Sequence, residues 1–279
     1  MRSVPRDGWI WRHVLLANIR RKRALLAIPD LVACFSPQVT PTGDWIDFFT
    51  DGSVWEPNNP QLSLAAWATV SATHGCVASM GPLPGLMQNI NRAELMAALS
   101  VVIWAQENQT KCTIWTDSSY VGSGLAALIQ DPYAGSFDSN EDLWQRLMES
   151  LQRIPDGYLR VQHVNSHRQI GDSEDPLDDW LIYWNAVAGK NAGIAHSYRS
   201  AEFREIHQAF RDWHLNSEQN IDRLRDLHLE VGSLRRTGLA GRSAFRMADS
   251  VGTKYIRLHF SCWHRTTAFR HLDDGTRSS

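Results

Sequence analysis

WIDFFTDGS, residues 45–53, carries apolar side chains on both faces of an extended segment and then reaches an acidic residue, Asp51. Apolar residues on both faces are typical of a strand in a sheet that is covered on both sides, so we predict a buried strand that ends at Asp51. KCTIWTD, residues 111–117, repeats this pattern and ends at Asp117. If the two strands are neighbours, both carboxylates lie at one edge of the sheet.

A third acidic residue, Glu94, lies near the start of a predicted helix. Glu94, Ala97, Ala98 and Val101 recur at helical spacing and therefore share one face. The two alanines allow that face to pack closely on a sheet, which directs Glu94 at the strand ends. A DG pair alone is most often a turn, and a helical Glu is usually a solvated charge. The three acids in this order instead predict a site for a hard divalent cation, which prefers oxygen ligands.

The order and spacing of these motifs resemble the type 1 ribonuclease H family, particularly the reverse transcriptase-associated domains of retroelement polyproteins. The resemblance implies an α/β, ribonuclease H-like fold, in which a mixed five-stranded sheet is flanked by helices. It covers a domain over residues 44–195, with N- and C-terminal helical extensions. The matching stretches are TDGS (50–53), NRAELMAAL (91–99), TDSSYV (116–121), VNSH (164–167) and WNAVAG (184–189).

The resemblance also implies an activity, hydrolysis of the RNA strand of an RNA–DNA hybrid with two Mg²⁺ ions, for which Mn²⁺ can substitute. Asp51 would bridge both ions, while Glu94 and Asp117 would bind the ion nearer the leaving group. His167 would assist proton transfer or product release. Contacts with the substrate are implied for Gly52, Ser53, Asn91 and Ser118, each of which has an equally strong structural interpretation as a cap or turn residue.

One position departs from the family pattern. The family has Asn-x-x-Ala-Asp on its last helix, whereas this chain ends the motif at Gly189. Asp179 cannot replace the missing carboxylate, because ten residues of helix separate the two positions by about 15 Å. Asn191 points to another face, and Lys190 could place an ammonium group at the vacant position. We therefore expect weaker metal binding and slow or absent hydrolysis.

Two alternatives to a hybrid nuclease stay open, together with another explanation for Gly189. The chain could be a catalytically inactive ribonuclease H-like module for nucleic-acid binding or assembly. It could also be a metal nuclease of the same superfold that acts on DNA, although the TDGS, RAEL and TDS motifs favour the hybrid. Separately, Gly189 could reflect a slip in the alignment or a decaying copy of an element.

The partners follow from charge and composition. A formal net charge of −2 is not that of a strong nucleic-acid binder. Affinity for the hybrid is therefore expected to depend on an upstream polymerase domain or a partner chain. No apolar stretch approaches the roughly 20 residues that span a bilayer, so no membrane partner is expected. Four scattered cysteines fit a reducing, intracellular compartment, with nucleus and cytoplasm both open.

Beyond the predicted domain the sequence is less informative. Residues 1–43 form an N-terminal extension with a basic run, residues 20–23 (RRKR), which suits a nuclear address, a phosphate contact or a solvated helix face. Residues 196–236 predict an amphipathic helical appendage that packs on the core or pairs with another chain. Residues 237–279 have few periodic features and predict a poorly ordered tail.

Overall fold

The computed structural model describes residues 16, 18–30, 34–131, 137, 139–165, 171 and 175–236. The chain divides into two compact units, Met1–Phe210 and Arg211–Ser279. His167 and the tail predicted for 237–279 lie outside the described residues. The domain boundaries predicted at residues 43, 195 and 236 stay predictions.

Five strands of the first unit form a single mixed sheet, which confirms the predicted fold class. Their bounds are β1 Ile46–Trp55, β2 Leu64–Ser71, β3 Cys76–Pro82, β4 Cys112–Thr116 and β5 Leu159–His163. The order across the sheet is β3-β2-β1-β4-β5. β1, β2 and β3 are antiparallel neighbours, whereas β4 and β5 run parallel to β1.

Helices cover both faces of this sheet. A short helix, α1, spans residues 18–26. It is followed by α2 Ile90–Asn108, α3 Ser119–Gln130, α4 Glu141–Leu151, α5 Pro176–Ala195, a 3₁₀ turn His196–Tyr198 and α6 Ala201–Arg236. None of the helices in the described part of the chain combines the length and apolar character needed to cross a lipid bilayer.

The two faces of β1 pack against different helices. Ile46 and Phe48 belong to the main core cluster, which includes the buried alanines of α2. Phe49, on the opposite face, packs in a smaller cluster with Ala188 of α5. Both faces of β1 are therefore buried, as its apolar pattern predicts.

The predicted end of β1 at Asp51 is wrong. The strand continues to Trp55, because residues Asp51–Trp55 pair with Ala68–Leu64 of β2. On its other side β1 loses its neighbour sooner, since the last pair with β4 is Thr50 with Thr116. Beyond Thr50, β1 is therefore an open edge on the β4 side, and Asp51 begins that edge. Asp51 therefore lies within β1 but at the edge of the sheet beyond the last β1–β4 pair, which is where the predicted strand end would have placed it.

Candidate functional site

The three predicted acids converge at the open edge of β1. Asp51 lies on β1, Glu94 on the second turn of α2, and Asp117 directly after β4. Each offers one carboxylate oxygen, and these oxygens all lie within 4.8 Å of one another. We call these three residues the carboxylate cluster. Their grouping is a feature of the structure, whereas their metal-binding and catalytic roles stay predictions.

Gly52 allows α2 to approach the sheet closely enough to place Glu94 in the cluster. A Cβ atom at Gly52 would lie 2.9 Å from Ala93 Cβ and 3.0 Å from Glu94 Cγ. Any larger residue would therefore push α2 away from β1. The Gly52 amide also donates a hydrogen bond of 2.6 Å to Asp51 Oδ1. These contacts give Gly52 a structural function in addition to the substrate contact predicted for it.

Ser118 connects the cluster to the start of α3. Its Oγ caps the helix by accepting a hydrogen bond from the Val121 amide at 3.3 Å. Its side chain is also hydrogen-bonded to Glu94. Because a hydroxyl has a single proton, Ser118 accepts from Val121 and donates to the Glu94 carboxylate. The hydrogen bond from Val121 makes Ser118 the cap of α3, and the residue is only 7% exposed.

A salt bridge that the sequence analysis missed anchors the first turn of α2. Both terminal nitrogens of Arg92 donate to Asp142 on α4, at 2.7 Å to Oδ1 and 2.5 Å to Oδ2. The hydrogen bond from Arg92 lowers the pKa of Asp142, although partial burial opposes this. Such a two-pronged contact is geometrically specific. It holds the first turn of α2, two residues before Glu94.

On the α5 side, Gly189 borders the cluster directly. A Cβ atom at Gly189 would lie 2.6 Å from Asp51 Oδ2. The carboxylate of Asp51 therefore fills the space where a side chain at position 189 would begin. Gly189 therefore adjoins the cluster, whereas its interpretation as a degenerate fourth position stays a prediction.

Asn185, one helical turn before Gly189, is a site residue that the sequence analysis quoted but did not assign. Its Nδ2 donates to Asp117 Oδ2 at 3.2 Å. The side chain is 7% exposed, and its Oδ1 has no hydrogen-bond partner among the described residues. Asn185 therefore fixes one oxygen of Asp117 and leaves a buried acceptor at the edge of the cluster.

No other acidic residue in the described ranges joins the cluster. Asp179 accepts a hydrogen bond from the Gly171 amide at 2.8 Å, which ties it to the preceding loop. Asn191 donates to the Val187 carbonyl of its own helix at 2.8 Å. Lys190 is exposed. Within the described residues, none of these three side chains places a carboxylate in the cluster.

Like charges and burial make the cluster electrostatically unfavourable when it is ionised. Burial, and then the charges of Asp117 and Glu94, raise the pKa of Asp51 to about 7 against the opposing Gly52 amide. Burial and Asp117 also raise the pKa of Glu94, against the hydrogen bond from Ser118. A divalent cation bound by these oxygens would offset the repulsion. The all-oxygen donor set therefore fits a Mg²⁺ or Mn²⁺ ion.

Ser53, two residues after Asp51, belongs to a chain of contacts with the 3₁₀ turn. Arg199 donates to His196 Nδ1 at 2.8 Å, so the ring proton of the neutral imidazole is on Nε2. Nε2 lies 3.2 Å from Ser53 Oγ and therefore donates to it. The ring also stacks on Trp55, with centroids 4.2 Å apart. Burial, followed by the charge of Arg199, lowers the pKa of His196 to about 4, which keeps it neutral.

The remaining predicted residues differ in what the structure describes. Asn91 is exposed on the first turn of α2, three residues before Glu94. It is not the cap of that helix, because Asn89 accepts the hydrogen bond from the Arg92 amide. The interpretation of Asn91 as a substrate contact stays a prediction, as does the function of His167.

The RNase H family model matches residues 44–178. These residues form a ribonuclease H domain. The match includes all three residues of the carboxylate cluster and ends before Gly189, so the assignment of Gly189 as the degenerate fourth position stays a prediction. A search of curated proteins returned no match.

Solved structures similar to this chain include ribonuclease H domains and a longer viral protein. The prototype foamy virus protease–reverse transcriptase is 22% identical over 60% of this chain, with a TM-score of 0.43. This chain spans only 22% of that protein's length. The foamy virus RNase H domain is 21% identical over 54% of this chain and 93% of its own, with a TM-score of 0.41. The N-terminal RNase H domain of a Mycobacterium tuberculosis protein is 13% identical over 59% of this chain and 97% of its own, with a TM-score of 0.38.

Proposed function

We propose that the chain is a metal-dependent endoribonuclease that hydrolyses the RNA strand of RNA–DNA hybrids, and that Gly189 makes it slow. The observation that carries this proposal is the carboxylate cluster within a ribonuclease H domain, with Gly189 against Asp51 where a fourth acid is expected. Mg²⁺ is the proposed ion, with Mn²⁺ as a substitute.

In this proposal the side chains act as ligands and as supports for ligands. Asp51, Glu94 and Asp117 would hold the metal. When bound, a divalent ion lowers the pKa of the attacking water and stabilises the charge that develops on the leaving oxygen. Ser118 and Asn185 hold Glu94 and Asp117 in place through the hydrogen bonds described above. These supports are matched to a cluster that must keep its geometry while it carries like charges.

The missing carboxylate at position 189 reduces the charge and the number of ligands available to a cation. Three acids remain, so we expect weak cleavage that is more evident with Mn²⁺ or at high Mg²⁺ than at low Mg²⁺. A substitution that restores an acid at position 189 has a steric requirement, because any side chain there must displace the Asp51 carboxylate. The contacting atom is the carboxylate at the end of the Asp51 side chain, so rotation of that side chain would relieve the contact.

The test is cleavage of an RNA–DNA hybrid labelled separately on each strand, with Mg²⁺ and with Mn²⁺. We expect cleavage of the RNA strand alone, none by Asp51→Asn, and a rise of at least about tenfold in Gly189→Asp. Gly189→Ala is the matched control, because it adds the same Cβ atom without a carboxylate. It should leave activity unchanged or lower it.

The alternative outcomes separate the candidate functions. If the unaltered chain matches Gly189→Asp at millimolar Mg²⁺, the proposed effect of Gly189 is wrong. If the chain binds the hybrid but cleaves it only as Gly189→Asp, the inactive binding module replaces the slow nuclease. Cleavage of both strands, or of DNA alone, would contradict hybrid specificity.

A further inference from the structure

The basic run at residues 20–23 is not a uniformly solvated helix face. Arg21 is 6% exposed, whereas Arg20, Lys22 and Arg23 are exposed. Arg21 donates to the Ser63 carbonyl at 3.0 Å and to His207 Nδ1 at 3.2 Å. It therefore links α1 to the chain before β2 and to the first part of α6.

A second arginine, Arg199, is buried close to Arg21. Arg199 is 4% exposed and donates to the Ala65 carbonyl at 2.5 Å and to His196 Nδ1 at 2.8 Å. Burial, and then the nearby charge of Arg21, lower the pKa of Arg199 to about 10. All four hydrogen-bond acceptors of these two guanidinium groups are neutral. The protein thus buries two neighbouring cations without an acidic partner among the described residues.

A cavity of about 740 Å³ lies beside this pair, between α1, the 3₁₀ turn and the start of α6. Three arginines line it, namely Arg20, Arg23 and Arg199, against a single carboxylate, Glu202. A guanidinium group has five N–H donors, and Arg199 uses only some of them on Ala65 and His196, while its buried Nε has no acceptor among the described residues. The rest of the wall is largely apolar and includes Pro29, Pro82, Phe203 and Ile206.

We propose that this cavity binds the phosphate group of a nucleotide, held by Arg20, Arg23 and Arg199. Guanidinium groups match phosphate oxygens with paired, charge-assisted hydrogen bonds. A concave site with an excess of one charge and apolar walls also concentrates ions of opposite charge. The apolar wall accommodates the sugar or base that the phosphate carries.

The structural function of Arg21 and Arg199 does not explain why Arg20 and Arg23 lie beside them. Arg21 and Arg199 join α1 and the 3₁₀ turn to β2 through buried acceptors, and those contacts need no further cation. Arg20 and Arg23 add two positive charges beside them and form no ion pair among the described residues. Their placement raises repulsion in the free protein, and a bound phosphate reverses that cost. The proposal does not depend on hybrid cleavage.

The experiment is isothermal titration calorimetry of the full chain in EDTA at fixed ionic strength, with two probes. AMP represents a free nucleotide, and a short single-stranded DNA represents the backbone of a nucleic acid. Chelation of metal keeps the carboxylate cluster out of the measurement. The variants are Arg20→Gln/Arg23→Gln and, as a matched control from the same helix, Lys22→Gln, whose side chain does not line the cavity.

We expect the dissociation constant to rise about tenfold or more in the double variant and less than twofold in Lys22→Gln. Arg23→Lys should give an intermediate value, because it keeps the charge and loses the paired geometry. All three positions are exposed, so folding should survive, and circular dichroism checks it. If AMP binds with this pattern, the site takes a free nucleotide. If only the single-stranded DNA binds with this pattern, the site holds the backbone of a nucleic acid. Equal effects of Lys22→Gln and the double variant, or no binding of either probe, would overturn the proposal.

Discussion

The carboxylate cluster and the buried arginine pair present the same electrostatic problem with opposite signs. In the cluster, three acids face one another, and the pKa values of Asp51 and Glu94 are raised. In the pair, Arg21 and Arg199 are buried together, and the pKa of each is lowered. Both groups therefore destabilise the charged form of their own side chains.

The two regions differ in what compensates the charge. The arginines donate to carbonyl and imidazole acceptors, and these hydrogen bonds hold elements of the fold together. The acids receive only a few hydrogen bonds, from the Gly52 amide, Ser118 and Asn185. The comparison shows that the arginine pair supports the fold without a ligand, whereas the ionised cluster lowers the stability of the metal-free protein.

The largest expected effect is loss of cleavage after removal of a metal ligand. In a Gly189→Asp background, Asp117→Asn should lower cleavage of the RNA strand by about a thousandfold, because a metal ion contributes several kcal/mol to the transition state. A single-turnover assay with Mg²⁺ measures it. Asp156→Asn, an exposed residue of a turn, is the control and should leave the rate unchanged. Equal rates for the two variants would mean that the cluster is not the reaction centre.

Removal of a buried arginine should lower the free energy of unfolding. Arg199→Gln would leave the Ala65 carbonyl and His196 Nδ1 without their donors, at a cost of about 3 kcal/mol. Urea denaturation measures the change. Arg153→Gln, at an exposed position, should change stability by less than about 0.5 kcal/mol. A tolerated Arg199→Gln would break the comparison, because the arginines would then have no structural function.

Neutralising Asp51 should raise the free energy of unfolding of the metal-free protein, whereas removal of Arg199 lowers it. The folded-state pKa of Asp51 is about 7, above its ordinary value of 3.8, so the folded state binds the proton more tightly. Stability from this group is therefore present at low pH and lost as pH rises through 7. In EDTA, the stability gained by Asp51→Asn should be about 2 to 3 kcal/mol larger at pH 8 than at pH 5. Urea denaturation at both pH values measures it, and a loss of stability at pH 8 would refute the account.

The lowered pKa of His196, beside the arginine pair, predicts that the stability of the fold falls at acidic pH. Its folded-state pKa of about 4 lies below the ordinary 6.5, so the unfolded state binds more protons between these values. The stability that neutral His196 contributes is thus present above pH 6.5 and lost as pH falls toward 4. Relative to His196→Gln, the unaltered chain should lose about 2 kcal/mol more between pH 7 and pH 5. Parallel stability curves for the two proteins would show that His196 is not buried and neutral.

The smallest expected effect concerns the support of Asp117. Asn185→Ala in the Gly189→Asp background should lower cleavage about tenfold, because loss of a residue that orients a ligand usually costs 10- to 100-fold. Asn191→Ala on the same helix removes an amide that bonds only to its own helix, and it should have little effect. The ratio of their single-turnover rates decides whether Asn185 positions Asp117 or only fills space.

Local sequence patterns were sufficient to predict the sheet and the grouping of the three acids. Each of those features depends on residues close together in the chain, such as the apolar run before Asp51. The supports of the site depend on residues that are far apart in sequence. Arg92 and Asp142 are separated by 50 positions, and Asp117 and Asn185 by 68. Pairs of this kind follow from tertiary packing, which a single sequence does not encode as a local pattern.

The extension of β1 has a similar cause. The apolar pattern weakens after Asp51, which led to a predicted strand end there. Pairing with β2 nevertheless continues to Trp55, since backbone hydrogen bonds in a hairpin do not require apolar side chains. Likewise, nothing in the basic run distinguishes the buried Arg21 from its exposed neighbours until α1 packs beside β2 and α6.

The central claim is that the carboxylate cluster binds divalent cations, and its most direct test is calorimetric titration of Mn²⁺ at pH 8 into the unaltered chain, Gly189→Asp, Gly189→Ala and Asp51→Asn. The account predicts measurable binding by the unaltered chain, affinity at least about tenfold higher in Gly189→Asp but not in Gly189→Ala, and none in Asp51→Asn. Absence of binding in both the unaltered chain and Gly189→Asp, or equal binding in Asp51→Asn, would contradict it.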